Sequence, residues 1–442
     1  MRFVYFGLRF FSAIDHLLRQ RLTPVGWVVF VGAGVAAVAG IDTSQTTTYQ
    51  LFTLFTALLG LALAGSAFFG ARATLERELP RYLTAGEPCV YRVTLTNRSR
   101  RRLAGASLEE YFPDPRPGYA EWRRTREPGE AQRNWFDREM GYFRWRWAIE
   151  RRVPRTQVAA PLPTIAPGGR TTVRLTLEPR RRGRIELAGL TLARPDPLGL
   201  VRSLHRTPLP ARVIALPRRY RLPALVLPGA RKFQQGGVSL ATSVGDSEEF
   251  VALRDYRPGD PLQRIHWKSF ARSGKPIVKE YQDEFFERHA LVLDTGRGAG
   301  EDAVFEDAVA LAASFVYTID TQECLLDLLF VAGDVHQYTA GRGQLQADHM
   351  LEILAGVAPA SPDAFDALAG AVLAQRARLS SCILVLVEWD TARAALLRTL
   401  RGCGMEVRVL LVCAEDAMPQ DLPSGVLALH PGRMEEGLTR LR

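Results

Sequence analysis

The densest set of reactive side chains lies between residues 250 and 281, FVALRDYRPGDPLQRIHWKSFARSGKPIVKEY. Asp255, Asp260, His266 and Lys268 are groups that give and take protons. Asp260, His266 and Lys268 together would suit hydrolysis of a phosphoester or peptide bond. No serine or cysteine nucleophile motif stands beside them, and the Glu-x-Lys element of a metal nuclease is missing. The other reading is structural: Arg254, Asp255, Asp260, Arg264, Lys268 and Arg272 form ion pairs in a hinge-like clasp, or present a charged docking face. Pro258-Gly259-Asp260-Pro261 reads as a turn. RIHWKSFAR suits one helical turn or a short strand, with Ile265, Trp267 and Phe270 available for packing, and PIVKEYQDEF alternates as an edge strand. So few catalytic groups converge that the sequence favours a protein-binding clasp, which also takes in Tyr256 and Gly259, and assigns no catalytic residue.

A second set of acids sits where apolar strands end. Asp294 follows LVL, and Glu388 and Asp390 follow LVLV. Carboxylates on adjacent strand ends can hold a hard cation such as Mg²⁺. They can equally cap the helices that follow, and Asp390 directly precedes one. The turn TGRG lacks dinucleotide spacing, and there is no Walker lysine motif. His336, His349 and His430 are isolated and carry no metal or catalytic pattern. The five cysteines are scattered without a Cys-x-x-Cys pair, as expected of reduced thiols with no zinc site.

The elements that must position these acids alternate. From His289, strand HALVLDTGRG leads to helix EDAVFEDAVALAASFVYTID and strand ECLLDLLFVAG. Helices near ADHMLEILAGV and PDAFDALAGAVLAQRAR come next, then strand SSCILVLVEWD, helix TARAALLRTLRGCG and strands EVRVLLVC and GVLALHPG. Near-continuous apolar strands between helices predict a mostly parallel sheet covered on both faces, over 286–442. Residues 72–217 have a different texture. CVYRVTLTN, TTVRLTLEP, GRIELAGLTLARPDPLGL and ARVIALP alternate between turn residues, predicting an antiparallel, immunoglobulin-like sandwich. An insertion at 114–161, rich in Trp, Tyr, Phe and Arg, can stack bases, but no RRM, KH or helix-turn-helix pattern accompanies it. It reads better as a surface for anionic lipid or protein. Residues 218–285 are linker and clasp.

The chain begins with two uncharged apolar runs, Pro24 to Ile41 and Leu51 to Ala71, expected to be a transmembrane hairpin over 24–71. The loop between them has no Lys or Arg, whereas Arg2, Arg9, Arg19, Arg21, Arg72 and Arg77 flank it. The positive-inside rule then places both termini in the cytoplasm, at the inner membrane. Residues 1–23 are an amphipathic helix on the inner leaflet or a loose tail, and everything after residue 72 hangs on a membrane leash. The net charge of +10 over 442 residues fits an anionic lipid, nucleic acid or acidic protein partner.

Taken together, the two spans, the sandwich, LRDYRPGD with RIHWKSFAR, and PRRRGRIELAGLTLARPDPLGL closely resemble the DUF58 family of bacterial membrane proteins. The resemblance implies a von Willebrand factor A-like (Rossmann-like) domain at the C-terminus. It also implies a role as a membrane-bound, non-enzymatic partner or adaptor of a MoxR-type AAA+ ATPase, with an oligomer left open. Such domains bind Mg²⁺ through Asp-x-Ser-x-Ser; here the stretch is Asp294-Thr295-Gly296-Arg297-Gly298, with glycine at both serine positions. Two hydroxyl ligands are missing and a cation enters, which argues against a divalent metal at Asp294 and Asp390. Arg297 can take the metal's place by pairing with Asp294 or a partner's acid.

Overall fold

The computed structural model describes residues 1–40, 46–68, 72–127, 129–156, 160–223, 248–258, 260, 262, 265–283, 287–296, 302–319, 324–340, 344–419 and 421–441. Gly259, Arg264, Arg297 and Gly298 lie outside them. The chain forms two compact units: one of residues 1–221 with parts of 297–314 and 348–359, and one of 222–296, 315–347 and 360–442.

The first unit starts with three helices, α1 (Arg2–Arg21), α2 (Pro24–Ala39) and α3 (Thr46–Ala67). α1 has Arg19 and Arg21 in its last turn, where cations suit the helix dipole. α2 starts on Pro24, with Thr23 as cap accepting the Gly26 amide at 2.9 Å. Among the described residues, one helix is long and apolar enough to cross a membrane, Thr47–Ala67. α2 is apolar but has 16 residues, about 24 Å of helix against a hydrocarbon layer of about 30 Å.

The strands that follow form two sheets. Strands β1 (Ala73–Glu78), β2 (Tyr82–Thr84), β3 (Cys89–Asn97) and β4 (Ser107–Tyr111) precede three helices, α4 (Tyr119–Arg124), α5 (Trp135–Met140) and α6 (Tyr142–Arg152). Then come β5 (Arg155–Thr156), β6 (Ala160–Pro161), β7 (Arg170–Glu178), β8 (Gly183–Pro195) and β9 (Arg202–Leu216). One sheet runs β1-β3-β7-β5 and the other β2-β9-β8-β4-β6. Alternation puts Val93 and Leu95 of β3, Leu177 of β7, Leu108 of β4 and Leu190 of β8 into one shared core, each fully buried. Inside it Arg77 donates to both oxygens of Glu110 (2.9 and 2.8 Å), and the Tyr91 hydroxyl donates to Glu110 at 2.6 Å. The insertion packs on α1: Tyr5, Trp122 and Trp145 form a buried aromatic cluster. The N-terminal segment is therefore a docked helix rather than a tail. Its other face exposes Phe3, Phe6, Phe10, Phe11, Ile14 and Leu17.

In the second unit β10 (Glu248–Asp255) and β11 (Ile277–Asp283) pair antiparallel in a sheet of their own, with α7 (Trp267–Ser273) between them in sequence. The main sheet is built from β12 (Glu287–Leu293), β13 (Cys324–Ala332), β14 (Asp334–Ala340), β15 (Ser381–Leu386), β16 (Glu406–Val412) and β17 (Val426–Leu429), in the order β14-β13-β12-β15-β16-β17. All neighbours are parallel except β14, which folds back antiparallel on β13 at the edge. Of the helices between these strands, α8 (Asp302–Thr318) and α9 (Gln344–Gly356) belong largely to the first unit, while α10 (Ala364–Gln375), α11 (Thr391–Gly402) and the last helix, α12 (Met434–Leu438), belong to the second. Phe365, Leu368 and Val372 of α10 and Leu396, Leu397 and Leu400 of α11 pack with the sheet strands in one core.

Candidate functional site

Chain order reverses direction across the sheet between β12 and β15: the strand after β12 lies on one side, and the later strands on the other. Such a switch point opens a crevice at the carboxyl ends of the strands, where α/β sheets place ligands. Asp294 enters it directly after β12, with its amide donating to the Val385 carbonyl at 2.8 Å. Asp294 and Thr295 are fully buried. The Thr295 hydroxyl donates to the Val331 carbonyl (2.8 Å), and the Ala360 amide donates to the Thr295 carbonyl (2.8 Å). Gly296 donates its amide to Asp294 Oδ1 at 3.0 Å. A Cβ on Gly296 would stand 3.1 Å from the Pro362 carbonyl oxygen and 3.3 Å from Asp294 Oδ1, so backbone already fills the place a side chain would take.

What meets Asp294 is Arg393, from the first turn of α11. Its Nε donates to Asp294 Oδ2 (2.8 Å), Nη1 to Asp390 Oδ2 (2.5 Å) and Nη2 to the Gly296 carbonyl (3.1 Å). Its guanidinium lies 4.4 Å from the centroid of the Phe365 ring, a cation–π contact. Asp390 caps α11, accepting the Arg393 amide at 2.8 Å. Burial pushes the Asp294 carboxyl above the ordinary range, with the Arg393 bond opposing it. Burial pulls Arg393 down, but its bond to Asp294 and the charges of Asp294, Asp390 and Glu388 outweigh it and hold it up. A guanidinium thus occupies the space between the two carboxylates. Among the described residues no group of three His, Cys, Asp or Glu side chains is placed to hold a metal ion.

Arg393 escaped the sequence reading, which named Arg297 as the stand-in cation. A signal was present. Arg393, Leu396, Leu397 and Leu400 are the buried residues of α11, so an arginine holds the first place of an apolar i, i+3, i+4, i+7 stripe. A charge on such a stripe needs a buried partner.

The clasp residues come together only in part. Arg254, near the end of β10, donates through Nη1 and Nη2 to the two oxygens of Asp260, both at 2.7 Å, a fork-to-fork pair. The Arg257 amide adds a bond to Asp260 Oδ2 at 2.8 Å. The Arg254 bond, then that amide, hold the Asp260 carboxyl at about 2. Within RIHWKSFAR, Ile265 bridges Val278 and the helix α7 starts at Trp267, closed by Gly274 at φ +65°. His266 Nδ1 lies 2.6 Å from Ser269 Oγ, an i to i+3 contact across the first turn of the helix. This is a local side-chain contact, and Asp260, which would have to orient the imidazole in a triad, is engaged by Arg254. Asp255, Lys268 and Arg272 are exposed, and Tyr256 is tied through its amide to the Pro276 carbonyl at 3.0 Å. Leu253, Leu262, Trp267 and Phe270 are exposed apolar side chains of this stretch, with Trp267 62% accessible and set edge-on to Phe270.

Residues 252–439 match the family model described as "Protein of unknown function DUF58", which takes in both the clasp and the crevice. The chain is also similar to "Uncharacterized protein YeaD" of Bacillus subtilis (strain 168), 26% identical over 126 residues, or 28% of this chain. That match spans 31% of the relative's length. With the clasp motif and the sheet that follows it inside the matched region, residues 252–439 carry the DUF58 match, and the chain is distantly similar to the Bacillus subtilis protein.

Proposed function

We propose that this protein is a membrane-anchored, non-enzymatic adaptor that engages a MoxR-type AAA+ ATPase, or that ATPase's substrates, through its clasp and its α/β unit. The observation that carries the reading is the clasp surface. Trp267, Leu262 and Leu253 face solvent on a stretch pinned by the Arg254–Asp260 fork. Aromatic side chains of this kind are common anchors of protein interfaces. The partner class comes from the family resemblance, as do the von Willebrand factor A-like character of the α/β unit and the immunoglobulin-like character of the middle sheets. In this reading α2 and α3 are a two-span hairpin of the inner membrane, with both termini in the cytoplasm. The apolar residues they expose, among them Val28, Val35, Val38, Leu54 and Leu61, support it. A hydrolytic reading fares worse, since Arg254 engages both oxygens of Asp260 and leaves it no free face toward His266 or a substrate.

The test is extraction of the full-length tagged protein in mild detergent, with nucleotide present, and mass spectrometry of what co-purifies. Wild type should enrich an AAA+ ATPase that Trp267→Ala and Arg254→Ala lose. Turnover of a phosphoester or peptide substrate, abolished by Lys268→Ala in a protein that stays folded, would overturn the adaptor reading.

A further inference from the structure

A cluster of arginines in the first unit has no part in the reading above. The turn from β7 to β8 reads Arg180-Arg181-Arg182-Gly183-Arg184, and α6 ends on Arg151-Arg152. These two segments, with the chain leaving β4 (Phe112 to Pro115), enclose an open cavity of about 390 Å³.

Its wall carries more arginines than acids. Arg182 is pinned by the Leu354 and Val357 carbonyls and pairs with Glu306. Arg152 pairs with Glu121 and donates to the Pro115 carbonyl. The two acids on the wall are engaged elsewhere: Asp114 by Arg116 (2.7 Å) and Glu186 by Arg212 (3.5 Å). Arg180, Arg181 and Arg184 make no ion pair among the described residues. Loss of solvent, then the crowding of like charges, pulls Arg151, Arg152 and Arg181 below the usual arginine value, although Glu306 pulls the other way at Arg151 and Arg181. A concave site that holds several cations near one another gains from an anion. Guanidinium forks match the paired oxygens of phosphate better than a lone ammonium does.

We propose that this cavity binds a phosphate group, free or on a lipid headgroup, held by Arg181 and Arg184 with Arg152 beside them. The lipid source is within reach of the fold. Phe112 to Pro115 also line a second cavity, of about 270 Å³, with Ser12, His16 and Gln20 of α1, the helix whose opposite face exposes its phenylalanines. This site stands independently of the adaptor reading.

Two arms test it on the detergent-solubilised full chain. Calorimetric titration with pyrophosphate reads a free anion, and native mass spectrometry with phosphatidic acid against phosphatidylcholine reads a lipid. The variant is Arg181→Gln with Arg184→Gln. Its charge-matched control is Arg92→Gln with Arg174→Gln, a cross-strand pair on the exposed side of β3 and β7. Saturable binding in either arm should weaken about tenfold or more in the site variant and less than about twofold in the control. Arg181→Lys with Arg184→Lys, which keeps the charge and loses the forks, should fall between. No saturable binding in either arm, or equal weakening in site variant and control, overturns the proposal.

Discussion

Replacing Arg393 with alanine would leave the fully buried Asp294 carboxylate with only backbone amides, those of Gly296 and Val387. Breaking a buried pair from one side costs about 3–5 kcal/mol. The folded state has one escape, which is to protonate Asp294. From an ordinary aspartate value near 3.9 that costs about 4 kcal/mol at pH 7 and about 1.5 kcal/mol at pH 5. Loss of the Phe365 contact and of the donor to the Gly296 carbonyl adds about 1 kcal/mol at either pH. The sign follows: in the variant the folded pKa of Asp294 is raised, so stability is full below the unfolded value and falls as pH rises through the raised one. At about 2–4 °C per kcal/mol, the unfolding temperature of the α/β unit should drop by about 10–20 °C at pH 7 and by about half that at pH 5. Thermal scans of full-length protein, with the transition assigned by hydrogen exchange of β12 and β15 peptides, read both. Asp294→Leu with Arg393→Met, which removes both charges, should recover most of the loss. An equal deficit at the two pH values, or one below about 2 °C at pH 7, would refute the buried-charge account.

Other expectations follow from single contacts. Asp260 has a depressed pKa of about 2, so its bonds hold above the unfolded value near 3.9 and go only as pH falls toward the folded one. Exchange of the Arg257 amide, corrected for intrinsic rate, should stay protected at pH 4 and lose protection in Asp260→Asn. Burial pushes the Cys382 thiol up to about 12, so it should resist N-ethylmaleimide at pH 7.5 in the folded chain while exposed Cys403 is labelled; labelling of both at one rate would sink this. A Cβ on Gly26 would lie 2.0 Å from the Leu200 carbonyl oxygen. Gly26→Leu should cost about 1–3 kcal/mol and speed tryptic cleavage after Arg202, whereas Gly34→Leu, with open space around its Cβ, should not.

The α/β end was legible because a parallel strand buried on both faces must be apolar throughout, as in ALVL of β12 and SCILVL of β15. β14, DVHQYTA, was not read as a strand. It pairs on one side only and alternates without a strong apolar face, so nothing sets it apart from a loop. Strand-end acids were legible as a pair, but not what joins them. That depends on α11 delivering Arg393 into the crevice, a contact across 99 residues of sequence. Likewise the aromatic insertion was visible as composition, while its partner, Tyr5 of α1, lies more than a hundred residues away.

The motif Asp196-Pro-Leu-Gly-Leu200 entered as a family mark without a task, and the structure supplies one. Asp196 is buried, and its oxygens accept the amides of Leu198 (2.9 Å), Leu200 (2.8 Å) and Val201 (2.7 Å), which fixes the turn. The turn then presents its carbonyls outward: Gly199 accepts the Thr23 hydroxyl at 2.6 Å, and Leu200 accepts the Thr23 amide at 3.0 Å. Thr23 is the cap of α2, and Gly26, one turn on, gives up its side chain to let the backbones close. Leu22, Ala62, Leu200 and Val201 seal the joint with a small buried core. The apolar helices are thus mounted on the β-rich region through backbone bonds rather than hung from it on a leash. A stiff mount fixes the orientation of whatever lies beyond it, so a tilt of α2 must move the Asp196 turn and the ends of β8 and β9 with it.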